Sequence, residues 1–173
     1  MAIRVEKPAF NLRDKLNELD GRVSPHKMPA GGTIQFQKVL HATSDHFHTS
    51  SSYQDHLEIK FTPIRSDSIL QYMVNGVVFV QAEPGGVNAR IKDETADTII
   101  NYERNQMFRF DLQGGHSGNI YARAGASIIY YGDSWGPSEH LIKLQFAVEN
   151  SVSAGFHASM QPTVFSIMEI STG

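Results

Sequence analysis

The sequence predicts an all-β fold: an antiparallel β-sandwich, jelly-roll-like in the spacing of its strands, preceded by a short helical arm at the N-terminus. Three observations predict it. From Thr33 onward apolar residues fall into short alternating runs, the clearest setting Leu57, Ile59 and Phe61 against Glu58, Lys60 and Thr62, which is the period-two pattern of a half-buried strand. Connections rich in Gly, Ser, Asn and Asp separate these runs at regular intervals, with no helical pattern between them, which argues against a parallel βαβ architecture. Ahead of Thr33 the apolar period lengthens to that of a helix. A length of 173 residues suits one domain, so the chain divides into an arm, residues 1–32, and a sandwich, residues 33–173.

Within the arm the pattern predicts a helix over residues 12–20. Asn11 can cap its first turn, Asp14 suits the positive end of the helix dipole, and Gly21 can take the left-handed position that ends it. Leu12, Leu16 and Leu19 then form one apolar stripe. A helix of this length does not persist alone in water, so the stripe needs a covering surface, either its own sandwich or another subunit. Phe10, Leu12, Leu16 and Leu19 are the candidate anchoring residues. The following segment holds Pro25, Pro29, Gly31 and Gly32, the composition of a semi-stiff linker.

In the body, strands are predicted over 33–41, 56–63, 98–104, 107–112, 126–131, 141–149, 153–159 and 163–170. Residues 68–74 and 77–82 flank Asn75-Gly76, a dipeptide that accepts positive φ readily, and are predicted to form a hairpin around it. Loops are expected over 43–55, 83–96, 114–118 and 132–139, where recognition residues usually sit.

Composition excludes several function classes. No cysteine is present, which removes disulfides, thiolate metal sites and a thiol nucleophile. With 15 Lys and Arg against 18 Asp and Glu, the chain lacks the basic footprint of a nucleic-acid partner. Six of those basic and four of the acidic residues lie in the first thirty, so the arm is mildly positive and the body negative. No apolar run approaches the ~20 residues of a membrane span. The first ten residues lack the pattern of a secretion signal, so synthesis and folding in a cytoplasm are expected.

Candidate chemistry is sparse. His41, His46, His48 and His56 are half of the chain's eight histidines. In an extended chain His46 and His48 share a side and can offer two imidazoles to a metal ion, six in a threefold assembly. Their polar surroundings, with Thr49, Ser50, Ser51 and Ser52 alongside, favour exposed histidines that bind nothing. Residues 114–118 place no serine at the centre of a Gly-x-Ser-x-Gly turn. Asp133 with Glu139, or Asp45 with Asp55, offers a carboxylate pair whose separation a sequence does not reveal. No cofactor motif occurs. Tyr53, Asp133 and Trp135 are the candidate surface-recognition residues, since flat rings match sugar faces. The expectation is a protein for assembly and recognition, with no catalytic residues.

Two sets of motifs carry a resemblance. Tyr131-Gly132-Asp133-Ser134, Leu144-Gln145-Phe146 and Phe165-Ser166-Ile167-Met168-Glu169-Ile170, with Phe61-Thr62-Pro63 and then Ser66, Ser68, Ile69 and Leu70, resemble a β-sandwich domain of tail-fibre-type proteins from tailed, especially marine, bacteriophages. Lys7-Pro8-Ala9-Phe10-Asn11-Leu12-Arg13 and Lys15-Leu16-Asn17-Glu18-Leu19-Asp20 are similar to an N-terminal segment recurring on phage virion proteins with different bodies. The resemblance implies a virion component, often trimeric, bound to other tail or capsid proteins and presenting its sandwich to a host receptor or surface glycan. The long shaft of a fibre is missing here, which sets a short fibre subunit beside a capsid decoration protein and, further off, a glycan-degrading appendage.

Overall fold

The computed structural model describes residues 29–81, 84–101, 105–110, 122–150 and 152–173, with the backbone alone for 105–110. The predicted arm helix and its anchoring residues Phe10, Leu12, Leu16 and Leu19 lie outside the described residues. The described part is all-β and antiparallel, as the sequence predicts. Its strands are β1 (Thr33–His41), β2 (His46–His48), β3 (Gln54–Phe61), β4 (Ile69–Val80), β5 (Gly85–Asp93), β6 (Thr98–Ile99), β7 (Asn105–Phe110), β8 (Ala122–Asp133), β9 (His140–Glu149), β10 (Ala154–Phe156) and β11 (Thr163–Ile170).

These strands form two sheets. The first runs β1-β11-β4-β10-β2, with β8 on the free side of β4; the second runs β3-β9-β5-β6, with β7 also against β5. Alternating side chains from both sheets meet between the layers. Leu70, Tyr72, Val74, Ile128, Phe156, Phe165 and Ile167 of the first face Leu57, Ile59, Phe61, Ala89, Ile91, Ile142, Leu144 and Phe146 of the second in one buried core. Burial of this apolar area is the main favourable contribution to the fold.

The Asn75-Gly76 hairpin is not formed. Instead β4 continues through both residues as a central strand, with β8 along its whole length. Its other side is shared end to end: β11 pairs with Ile69 to Asn75 and β10 with Val78 to Val80. Gly76 lies where those two partners meet. A Cβ there would come within 3.2 Å of both Phe156 Cδ1 and Thr163 Oγ1, so the glycine serves close packing and not a turn.

One buried acid organises the loop between β3 and β4. Glu169, wholly buried on β11, accepts hydrogen bonds from Ile64 N (2.9 Å), Arg65 N (2.8 Å), Ser68 Oγ (2.7 Å) and Gln35 Nε2 (2.7 Å). Four donors on one carboxylate are what allow a charge to sit in such a place.

Candidate functional site

Two features stand apart from ordinary sandwich packing: the outer face of the first sheet and a histidine cluster at one end of the interior. Register defines the first. Phe36 of β1 lies beside Met168, which lies beside Gln71, which lies beside Tyr131. The adjacent rows are Lys38, Ser166, Met73 and Ile129, and then Leu40, Val164, Asn75 and Ser127. Partners directly across a ladder share a face. Phe36, Leu40, Ile69, Ile129 and Tyr131 are the strongly exposed apolar side chains of this face, Ile129 and Tyr131 each at 56%. Met73, Val77, Val164, Met168 and Ile170 lie half-buried among them. The imperfect alternation of β1 thus turns Phe36 and Leu40 outward, with a register shift between Thr33 and Gln35.

The second sheet's outer face has the opposite character. Lys92, Lys143 and Glu58 form one row across it, and Arg90, Gln145 and Asp55 the next. Lys143 donates to Asp55 (2.7 Å), Gln145 Nε2 donates to Asp55 (2.6 Å), and Arg90 Nε donates to Gln145 (2.8 Å).

The histidine segment forms strand β2, inside residues 43–55, where the composition predicts a loop. His46 and His48 do share a side, and that side is the interior. Their partners across the ladder are Phe156 and Ala154, both core residues. His48 stacks on Phe146 at 4.2 Å between ring centres, and its Nδ1 accepts from Ser50 N. His46 Nδ1 meets His56 Nδ1 at 2.7 Å. His56 lies flat on Phe156 at 4.6 Å, and its Nε2 is buried without a hydrogen-bond partner. His41, at the end of β1, brings its ring to 5.2 Å from that of His56 and donates from Nε2 to the Ser44 carbonyl.

Burial, reinforced by the neighbouring imidazoles of His46 and His41, pushes the pKa of His56 down to about 3. His46 is lowered by burial and then by His41 and His48; His48 is lowered by burial, with the Phe146 backbone opposing. Among the described residues no three His, Asp or Glu side chains are arranged to hold a metal ion.

The surface-recognition candidates do not converge. Tyr53 precedes β3 and lies beneath the Arg90 guanidinium, 4.0 Å from its ring centre. Trp135 is at the other end of β3, edge-on to Phe61 and stacked on His140 at 4.6 Å. The strand between them spans on the order of 25 Å. Trp135 Nε1 donates to the Ser138 carbonyl, so this ring closes its own loop. Asp133 is exposed at the end of β8, beside Ile69.

Two Ser-His-Asp groupings were not foreseen. His140 joins Asp93 through Nδ1 and Ser138 through Nε2 (3.2 Å). Asp93 also accepts from the Thr95 and Ala96 amides, and Trp135 covers the ring, so the group ties loop to strand. Around Asp45, His157 and Ser159 both bond to the same carboxylate oxygen. That geometry holds a turn. It does not relay a proton from serine through opposite imidazole nitrogens. The Asp45–Asp55 carboxylate pair is likewise divided, since Asp45 serves this turn and Asp55 the charged face.

Comparison with known proteins adds a distant likeness. No family model matches the chain, and no curated protein matches it. Among solved structures, similar chains come from infectious bursal disease virus. One is from the Gx strain, with 11% identity over 80% of this chain and a TM-score of 0.36. A second is the VP2 subviral particle, with 11% identity over 82% and a TM-score of 0.37. A third is a viral particle, with 14% identity over 80% and a TM-score of 0.35. The chain spans 36 to 39% of the length of those chains. At such identities this is a likeness of fold and nothing more.

Proposed function

We propose that this chain is a non-catalytic structural subunit of a virus particle, a short tail-fibre-type protein that anchors by its N-terminal arm and assembles through the apolar outer face of its first sheet. That face is the observation that carries the reading. Phe36, Leu40, Ile69, Ile129 and Tyr131 are exposed together on it, and apolar side chains grouped on one face mark interaction sites. The arm motifs and the sandwich motifs, each similar to segments of phage virion proteins, supply the particle. The arm leads into β1, the edge strand of the same sheet, so the linker enters the body at the rim of that face.

Assembly as a homotrimer belongs to the same proposal, because a symmetric association covers both the leucine stripe and the sheet face. The charged second face is then left outward, toward solvent or a host surface. Deletion of residues 1–22 is expected to leave a folded sandwich that no longer joins particles; a truncated protein that still assembles overturns the anchor. The breadth of the apolar face also favours a second reading, a decoration protein lying flat on a capsid shell. Labelling intact particles separates the two by position and by copy number.

A further inference from the structure

We propose that the imidazoles of His41, His46 and His56 form an acid-operated latch that holds strand β2 on the sandwich when neutral and releases it when protonated. The inference is independent of the virion reading. It rests first on the contact between His46 Nδ1 and His56 Nδ1 at 2.7 Å. An N–H···N bond has room for one proton, so a second, placed on the other ring, turns the contact into two opposed donors. Even the first brings a charge into a poor environment. His56 is clasped by apolar rings, flat on Phe156 and edge-on to Phe146 at 5.7 Å.

Among the described residues no carboxylate is bonded to these three imidazoles. β1 contributes His41, β2 His46 and His48, β3 His56, β9 Phe146 and β10 Phe156. Among the described residues the nearest carboxylates are committed elsewhere, Asp55 to Lys143 and Gln145, and Asp45 to His157 and Ser159. Arg90 lies over Tyr53 and adds positive charge, not negative. Two packing contacts oppose release, Phe47 on Phe79 at 4.9 Å and His48 on Phe146 at 4.2 Å, and His157 with Asp45 becomes an ion pair when that imidazole is charged, which tethers the start of β2. The hinge is therefore expected at Asp45.

The element to be released is the weakest in its sheet. β2 has three residues and one partner, β10, itself three residues long. The two backbones approach so closely that a Cβ on Gly155 would sit 2.1 Å from the His46 carbonyl oxygen, so the pairing survives only in close register. Beyond β2, one backbone bond, from Val148 N to the Ser50 carbonyl (2.9 Å), ties the following loop to β9.

Each proton taken up on opening shifts the closed-to-open ratio about tenfold per pH unit below the ordinary histidine pKa. The test is hydrogen exchange on the full chain at pH 7.5, 6.0 and 5.0, read as protection factors. β2 and β10 are expected to lose at least tenfold in protection by pH 5.0 while β5 and β9 keep theirs. His56→Phe, which puts an apolar ring in the same clasp, is expected to abolish that loss. His46→Asn, at a less buried position, is expected to reduce it and serves if the first variant fails to fold. Undiminished protection of β2 at pH 5.0 sinks the latch, as does an unchanged acid response in the folded variants. A stoichiometric transition metal on the purified protein overturns it too, by making the cluster a ligand set.

Discussion

The two outer faces of this sandwich are made by strands of the same geometry and carry opposite chemistry. On the second sheet the inward Ile59, Ile91, Ile142 and Leu144 alternate with Glu58, Lys60, Arg90, Lys92, Lys143 and Gln145, and Lys143, Gln145 and Arg90 pair with neighbours on the outer face. On the first sheet many outward positions are apolar, interrupted by Lys38, Gln71, Asn75 and Ser127. β4 places Leu70, Tyr72, Val74, Val78 and Val80 inward and Ile69, Met73, Val77 and Phe79 outward. Under the assembly proposed above, a neighbouring surface covers this outer face of the first sheet.

The largest test addresses the layer between the faces. Glu169→Leu removes the acceptor for two backbone amides and is expected to cost about 3–5 kcal/mol in denaturant unfolding. It sets the scale against which changes on either face are judged. A loss under 1 kcal/mol would mean that the loop finds other acceptors and that the interior is less specific than the hydrogen bonds indicate.

Next in size is the pH response. His56 is held neutral with its pKa near 3, against 6.5 in the unfolded chain. Between these values the unfolded chain binds the extra proton, so this contribution to stability is complete above pH 6.5, declines as pH falls, and is gone near pH 3. Lowering pH from 6.5 to 5.0 is expected to remove about 2 kcal/mol on account of His56. Urea midpoints over that range measure it. His56→Phe should flatten the curve.

The faces themselves give the sharpest contrast in kind. Ile129→Lys with Leu40→Glu is expected to weaken self-association at least tenfold, about 1.4 kcal/mol or more, with folding stability within about 0.5 kcal/mol. Light scattering against concentration reads the first and thermal unfolding the second. Equal association by wild type and variant would remove the first sheet as an interface. Smallest of all, Lys143→Ala on the charged face is expected to cost about 0.2–1 kcal/mol, less at high salt, with no effect on assembly.

Much of this architecture was legible beforehand. β1 and β11 carry the predicted limits, and β3, β8 and β9 differ only at their ends. Two strands were missed for identifiable reasons. β5 follows Pro84 and opens on Gly85-Gly86, a run that reads as a turn, although Val87, Ala89 and Ile91 alternate behind it. β2 has three residues, too few for periodicity to register. The hairpin failed because Asn75-Gly76 has the local chemistry of a turn, while Gly76 is needed for the approach of Phe156 and Thr163. Among candidate residues, the pairing of His46 and His48 on one side was readable; that the side faced inward required the partner strand. The latch partner, His56, lies ten residues away and is brought there only by the two-sheet topology. Trp135 looked available because its loop is polar, and its stacking on His140 depends on a strand that follows.

The linker reaches the body at a braced corner. Gly31 N donates to the Ser171 carbonyl (2.8 Å) and Ser171 N to the Gly32 carbonyl (2.9 Å), clamping it to the strand beside β1. A subunit held by its arm while its sheet face grips a neighbour therefore carries mechanical load through the β1–β11 ladder. Tension along the strands is shared by all its rungs at once, whereas a sideways tug meets them singly and peels β1 away. The direction of pull, more than the number of bonds, would govern the force at which such a tether yields.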